Sequence, residues 1–130
     1  MIEKWKTDEL LSLPAYDNSP DSDDLFMEAL QEELVFHYEN NEMYRQFCQR
    51  KNFDPHKTLN SLTDIPAVAV SVFKDLGFKL GSVPAEELTL SLQSSATSGV
   101  PSTIVLDKIT SKRQAKAMVK VISDFIGNEK

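Results

Sequence analysis

The stretch from residue 88 to residue 126 constrains the fold more tightly than any other part of the chain. Leu88, Leu90 and Leu92 alternate with Thr89, Ser91 and Gln93, the period of two that marks a strand with one apolar face. Thr103-Ile104-Val105-Leu106 reads as a second strand, stopped by Asp107. Between them runs Ser94-Ser95-Ala96-Thr97-Ser98-Gly99-Val100-Pro101-Ser102, small, hydroxylated and turn-forming throughout. After the second strand, Thr110 is a suitable N-cap for a helix that would bury Ala115, Met118, Val119, Ile122, Phe125 and Ile126, with Gly127 as its C′ residue. Strand, loop, strand and helix over 86–127 predict an α/β fold.

The first sixty residues read as helical. Asp17-Asn18-Ser19-Pro20-Asp21-Ser22-Asp23-Asp24 is dense in turn and capping residues. Phe26, Leu30, Leu34, His37 and Tyr38 then recur at three or four residues, which predicts one buried stripe on a long helix. Asn40-Asn41 is the expected break. A second helix over about 41–51 should bury Met43, Tyr44, Phe47 and Cys48, and Asp54-Pro55-His56 ends this section. Pro66 biases Ile65 toward an extended conformation, so the 62–74 stretch is expected to enter extended and close with a short helix through Phe73. The whole is expected to form one domain, helices packed on part of a mixed sheet.

Bulk properties narrow the function. The 130 residues carry a formal charge of −6, with six basic and thirteen acidic side chains before residue 61 and eight basic and seven acidic after it. Such a chain repels a phosphate backbone, which argues against nucleic acid as a partner. No apolar run is long enough for a membrane-spanning helix. The start, Met1-Ile2-Glu3-Lys4-Trp5-Lys6, lacks the apolar core of a secretory signal. A single cysteine, Cys48, forms no internal disulfide. These features together predict a cytoplasmic protein.

The 94–102 loop is the part with chemical potential. Small side chains let backbone N–H groups approach a phosphate closely, and hydroxyls add donors. The same composition also makes an ordinary hairpin turn. It is neither a Walker A loop, since no Gly-Lys-Ser/Thr follows, nor a dinucleotide fingerprint, since Gly99 is the only glycine nearby.

These nine residues resemble the Ser-Ser-Gly-Thr-Thr-Gly-x-Pro-Ser loop of the adenylate-forming enzymes, and among those enzymes they are most similar to the LuxE-type acyl-protein synthetases. Three other stretches share the likeness: Asp64–Lys74 upstream, the strand Ser102–Asp107, and Thr110-Ser111-Lys112-Arg113-Gln114 opening the helix. The resemblance spans about residues 25–127. It implies that Ser94, Ser95, Thr97, Ser98 and Gly99 contact phosphate. It also implies a reaction in which a fatty acid and ATP, with Mg2+, form an acyl-adenylate whose acyl group passes to a protein thiol. That thiol, in such enzymes, is a cysteine far toward the C-terminus. An acyl-carrier or reductase protein is the implied partner. Ala96 replaces the family's first glycine, Ser98 its second threonine, and Ala69 an expected proline.

Enzymes of this kind need several hundred residues, with later ATP-binding motifs and a mobile C-terminal subdomain. The chain is therefore expected to be an N-terminal portion of one, inactive alone, with exposed strand edges that promote self-association. The competing reading is a non-enzymatic interaction or carrier module derived from an adenylation domain, motivated by Ala96, the short length and the acidic surface.

The remaining polar residues read as structural. Cys48 is expected to be a small buried side chain rather than an acyl acceptor. His37 belongs to the apolar stripe, and His37 and His56 lack metal-type spacing. Asp23, Asp24, Glu28, Glu32 and Glu33 are expected to form a solvated helix face. Lys108, Lys112, Arg113, Lys116 and Lys120 are expected to form a wet basic face, the alternative being a part in attracting ATP or an acidic carrier protein.

Overall fold

The computed structural model describes residues 5–127 apart from 96 and 98. Five helices and one antiparallel strand pair make an α/β fold. The order is α1 (Lys6–Leu10), α2 (Pro20–Asn40), α3 (Glu42–Arg50), α4 (Val72–Leu76), β1 (Leu88–Gln93), β2 (Thr103–Asp107) and α5 (Lys108–Ile126). No helix among the described residues is long and apolar enough to cross a membrane.

Local sequence explains the helix ends. Ser19 caps α2, its side chain accepting from the Ser22 N–H, and Pro20 occupies the first turn, where its missing N–H costs nothing. Asn41 separates α2 from α3 and caps the latter, its Oδ1 accepting from the Tyr44 N–H at 2.9 Å. At the far end of α3, Asn52 adopts φ +54°. Phe53 N–H then bonds to the Cys48 carbonyl at 2.9 Å and Asn52 N–H to Gln49 at 3.1 Å, the paired closure in which asparagine substitutes for glycine. A short 3-10 turn at Leu62–Asp64, closed by a capping box from Ser61, leads into extended Ile65. The expected extended entry and short helix near Phe73 are thus both present.

Few side chains are fully buried. Ala29 and Cys48 are the buried hydrophobic residues among those described. Loops are fixed instead by polar side chains reaching from the helices. Gln31 donates to the carbonyls of Pro55 (3.1 Å) and Lys57 (2.8 Å) and accepts from the Leu59 N–H (3.2 Å). Buried Asn41 donates to the carbonyls of Lys79 (3.3 Å) and Gly81 (3.0 Å). A side-chain amide satisfies buried backbone groups that a loop cannot pair for itself.

Arg113 joins the two ends of the chain. Its guanidinium holds Asp8 through two bonds of 2.9 Å, reaches Glu33 Oε1 at 3.2 Å, and lies 5.1 Å above the Trp5 ring. Its side chain is only 15% exposed. Glu33 also accepts from the Thr7 hydroxyl at 2.7 Å, Glu32 from the Lys6 N–H at 2.7 Å, and Glu28 pairs with the Lys6 ammonium at 3.0 Å. Two expectations are corrected here. Glu28, Glu32 and Glu33 are not merely a solvated face, because they dock α1 onto α2. Arg113 and Lys120 leave the wet basic row, the latter donating to the Leu13 carbonyl.

The apolar stripes are also corrected. Phe26 and Met43 are exposed, and His37 sits at the rim rather than in the core. On β1 the Leu90/Leu92 face is exposed, while buried Thr103 and half-buried Val105 belong to the opposite face of the hairpin. None of Ala115, Met118, Val119, Ile122, Phe125 and Ile126 is buried. Arg113, Ala117 and Lys120, the less exposed positions, lie on the other side of α5. The cap of α5 is Asp107, not Thr110: its carboxylate accepts from the Thr110 N–H at 2.8 Å. Asp107 is the last residue of β2, already extended, so it fills the capping position one turn before Thr110.

Two predictions follow from this packing. Arg113→Ala removes a charged, bidentate anchor of two helices and should cost about 2–3 kcal/mol, read from the urea midpoint. Arg113→Lys, which keeps the charge but not the planar fork, should recover less than half of that. The second concerns His56, whose ring nitrogens face Asp54 (3.0 Å) and Glu39 (3.1 Å) beside the Tyr38 ring. Glu39 and Asp54 push its pKa up, so the tie is fully present below about pH 6.5 and fades as pH rises through the raised folded value. Burial shifts His37 the other way, so the measurement is the difference in urea midpoint between wild type and His56→Gln across pH 5–9. That difference should shrink toward high pH.

Candidate functional site

The loop between β1 and β2 is closed at its base by two hydrogen bonds. Ser94 N–H donates to the Ser102 carbonyl at 3.0 Å, and Ser102 N–H donates to Ser94 Oγ at 2.9 Å. Pairing of Gln93 with Thr103, Leu92 with Ile104, Ser91 with Val105 and Leu90 with Leu106 holds that base in register. Gly99 has φ +95°, a conformation that L side chains rarely adopt, and a Cβ there would meet nothing within 4 Å. The glycine serves backbone shape, not close packing.

Of the expected phosphate contacts, Ser94, Ser95, Thr97 and Gly99 share this exposed loop. Ser98, and the departure at Ala96, lie outside the described residues. Ser94 differs from its neighbours, because its oxygen already accepts from Ser102 and its hydroxyl hydrogen alone remains to donate. Ser102 is the residue that sequence reading missed as part of this arrangement. Its position nine places into a hydroxyl-rich run gave no signal that its backbone pairs with Ser94 twice. Asp107, capping α5, closes the far end of β2 and fixes the helix directly behind the hairpin.

The other singled-out residues fall elsewhere. Cys48 is 0% exposed, and burial raises its thiol pKa, so it is held protonated and shielded, as befits a packing residue. Burial, with Cys48 beside it, likewise raises the pKa of Tyr44. His37 Nδ1 lies 2.6 Å from Ser82 Oγ, and its ring meets Phe36 and Tyr44 edge-on. Although His37 is exposed at the rim, the side of its ring turned to Phe36 and Tyr44 is partly desolvated, which lowers its pKa and favours the neutral form. A cleft of about 300 Å³ runs between α1, the start of α2 and α5, lined in part by Leu10, Leu13, Phe26, Ala117 and Val121. It does not include the loop.

An α/β unit that presents a hydroxyl-rich, glycine-bent hairpin loop in front of a helix is the class defined by this geometry. The family described as acyl-protein synthetase, LuxE, matches residues 6–130, and the chain belongs to that family. Two relatives are each called long-chain-fatty-acid–luciferin-component ligase. The protein from Aliivibrio fischeri is 36% identical over 84 residues, covering 65% of this chain and 21% of the relative. That from Vibrio harveyi is 35% identical over 78 residues, covering 60% and 20%. The matched stretch thus spans about a fifth of either relative's length. No solved structure matches.

The loop geometry generates a prediction of its own. Gly99→Ala forces a side chain into a left-handed conformation at a cost of about 1–2 kcal/mol without any clash. The amides of Ser94 and Ser102 should then exchange with solvent about tenfold faster, while those of α2 and α3 keep their protection.

Proposed function

We propose that this chain carries the phosphate-contacting loop of an ATP-dependent enzyme that activates a fatty acid and passes the acyl group to a protein thiol. In the complete reaction a carboxylate oxygen attacks the α-phosphorus of ATP. The bond to the β-phosphate oxygen breaks, giving acyl-adenylate and pyrophosphate. A thiolate, its proton having passed to a base, then attacks the acyl carbon, and AMP leaves with the electron pair of the broken C–O bond. Cys48, shielded and protonated, is not that thiol.

The observation that carries this reading is the closed hairpin loop 94–102 in a chain of the LuxE family. Its contribution would be local and electrostatic. Backbone N–H groups around Gly99 and the hydroxyls of Ser95, Thr97 and Ser98 would donate to the oxygens of the leaving phosphates, where negative charge grows in the transition state. Ser94 would chiefly hold the loop shut. These hydroxyl and amide donors suit phosphate oxygens rather than a cation, and the described residues contain no cluster of three or more carboxylate, histidine or cysteine side chains able to hold a metal. Mg2+, on this reading, would accompany the triphosphate as its counter-ion. ATP as substrate fits the cytoplasm, and an acyl-carrier or reductase protein would receive the product.

The competing reading is an interaction module without catalysis. Ala96 in place of the family's first glycine and the outward apolar face of α5 favour it.

The test is carboxylate-dependent exchange of label between pyrophosphate and ATP, run with a panel of short and long fatty acids. It compares the 130-residue chain alone with a chimera in which that chain replaces the matching segment of the Aliivibrio fischeri ligase. Exchange is expected in the chimera only. Thr97→Val in the chimera should lower the exchange rate about 100-fold if its hydroxyl stabilises the leaving phosphates. A folded chimera that supports no exchange with any acid, while the intact ligase does, would leave the interaction module as the better account.

A further inference from the structure

Two hollows meet where α1 and the turn after it lie against the start of α2. The apolar cleft of about 300 Å³ is walled by Leu10 and Leu13, by Phe26 on α2, and by Ala117 and Val121 on α5. A second hollow, of about 450 Å³, lies between α1 and α2 and takes in Asp21, Asp24 and Glu28. Leu13, Asp17 and Ser22 line both, so the two form one continuous trough.

The trough is apolar at one end and strongly acidic at the other. Among the described residues, six carboxylates line it against two ammonium groups. Both ammonium groups are already engaged, Lys6 with Glu28 at 3.0 Å and Lys120 with the Leu13 carbonyl. Asp21, Asp24 and Glu28 are exposed and recur at three and four residues along α2, a stripe about 10 Å long at the rise of an α-helix. Acids at a helix start serve its dipole and by themselves call for no ligand. An apolar cleft that runs directly into them does, since an apolar hollow with a polar rim is the usual form of a binding site.

Charge decides the occupant. Nucleic acid and anionic lipid are repelled by such a surface. A small amine would meet one carboxylate and leave the others as they are. The trough instead matches an apolar side chain for the cleft followed by several cations at helical spacing for the stripe, which is one face of a basic amphipathic helix.

We propose that the trough between α1, α2 and α5 is the docking site for a basic amphipathic helix of a partner protein. The helix seats an apolar side chain between Leu10, Phe26 and Val121 and lays lysine or arginine along Asp21, Asp24 and Glu28. The stripe steers the encounter, and the seated apolar side chain supplies most of the affinity. The trough does not include the 94–102 loop, and its test reads binding rather than activity, so its failure and the failure of the proposed function are distinguishable.

The probe is a synthetic peptide of leucine and lysine, about 18 residues long so that it is helical alone, with the leucines on one face. Binding to the 130-residue chain and to the chimera with the Aliivibrio fischeri ligase is followed by calorimetry and by amide NMR shifts. A 1:1 complex is expected with both, weakened by salt, with shift changes centred on residues 10–28 and 117–121. A peptide of the same composition with its leucines scattered around the helix should bind about tenfold more weakly. The double substitution Asp21→Lys, Asp24→Lys should weaken the lysine peptide about tenfold. It should also admit a peptide with glutamate in place of lysine, a gain that lost stability does not produce. Equal affinity for the two lysine peptides would reduce the interaction to undirected charge attraction and overturn the proposal. So would shift changes confined to other surfaces, or no binding by the 130-residue chain. Binding by that chain but not by the folded chimera would assign the trough to polypeptide of the longer protein. Self-association of the chain that shifts the same residues would assign it to a second copy. Either result overturns the proposal.

Discussion

The guanidinium of Arg113 is where the first and last helices are held against the long one between them. It binds the Asp8 carboxylate with both arms, shares Glu33 with the Thr7 hydroxyl, and covers the face of Trp5. Residues 8 and 113 are far apart in sequence, so closing that distance costs chain entropy that local helix formation does nothing to offset. A planar, permanently charged fork suits the task, because it fixes geometry as well as distance. With Arg113 in place, α5 must lie across α1 and α2, and β2, which runs into α5 at Asp107 without an intervening loop, must follow. The hairpin also packs against α4, so its position is shared between that contact and the Arg113 tie.

That dependence on a polar tie matches the rest of the packing. Where Ala29 and Cys48 are the buried hydrophobic residues among those described, area burial alone leaves little margin over chain entropy. Gln31 and Asn41 make up part of the difference by pinning the 55–59 and 79–81 backbone to the helices. Arg45 does the same at the end of α2, donating to the carbonyls of Tyr38 and Glu39, where the helix leaves acceptors unpaired. Each such contact is worth little by itself, and each fails if one partner is removed, since the other is then left unsatisfied.

How much of this was legible in the sequence follows from which interactions are local. The break at Asn41, the extended entry at Ile65, both strands and the glycine stop at Gly127 depend on neighbours within a few residues, and the structure has all of them. The capping choice at Asp107 was missed because the strand and helix were read as separate elements with a joint between them. Arg113 was read as one of a basic row, since its acidic partners lie in distant stretches. Periodicity found the apolar stripe of α5 correctly but not its direction, because a stripe at helical spacing does not say which layer it meets. At the loop, Gly99 is one of five expected phosphate contacts and takes a positive φ, whereas the double pairing of Ser94 with Ser102 has no signature in composition.

A loop that offers small donors to a phosphate gains most when water is excluded from it, since a hydrogen bond to a developing charge is strong only in a preorganised, poorly solvated setting. Here Ser95, Thr97 and Gly99 are open to solvent, as are Leu90 and Leu92 on β1 and the outer stripe of α5. While the loop is open to solvent, its hydroxyl and amide groups compete with water for any anion they meet. On the proposed reading, the loop's donors would hold phosphate strongly only where water is kept from them.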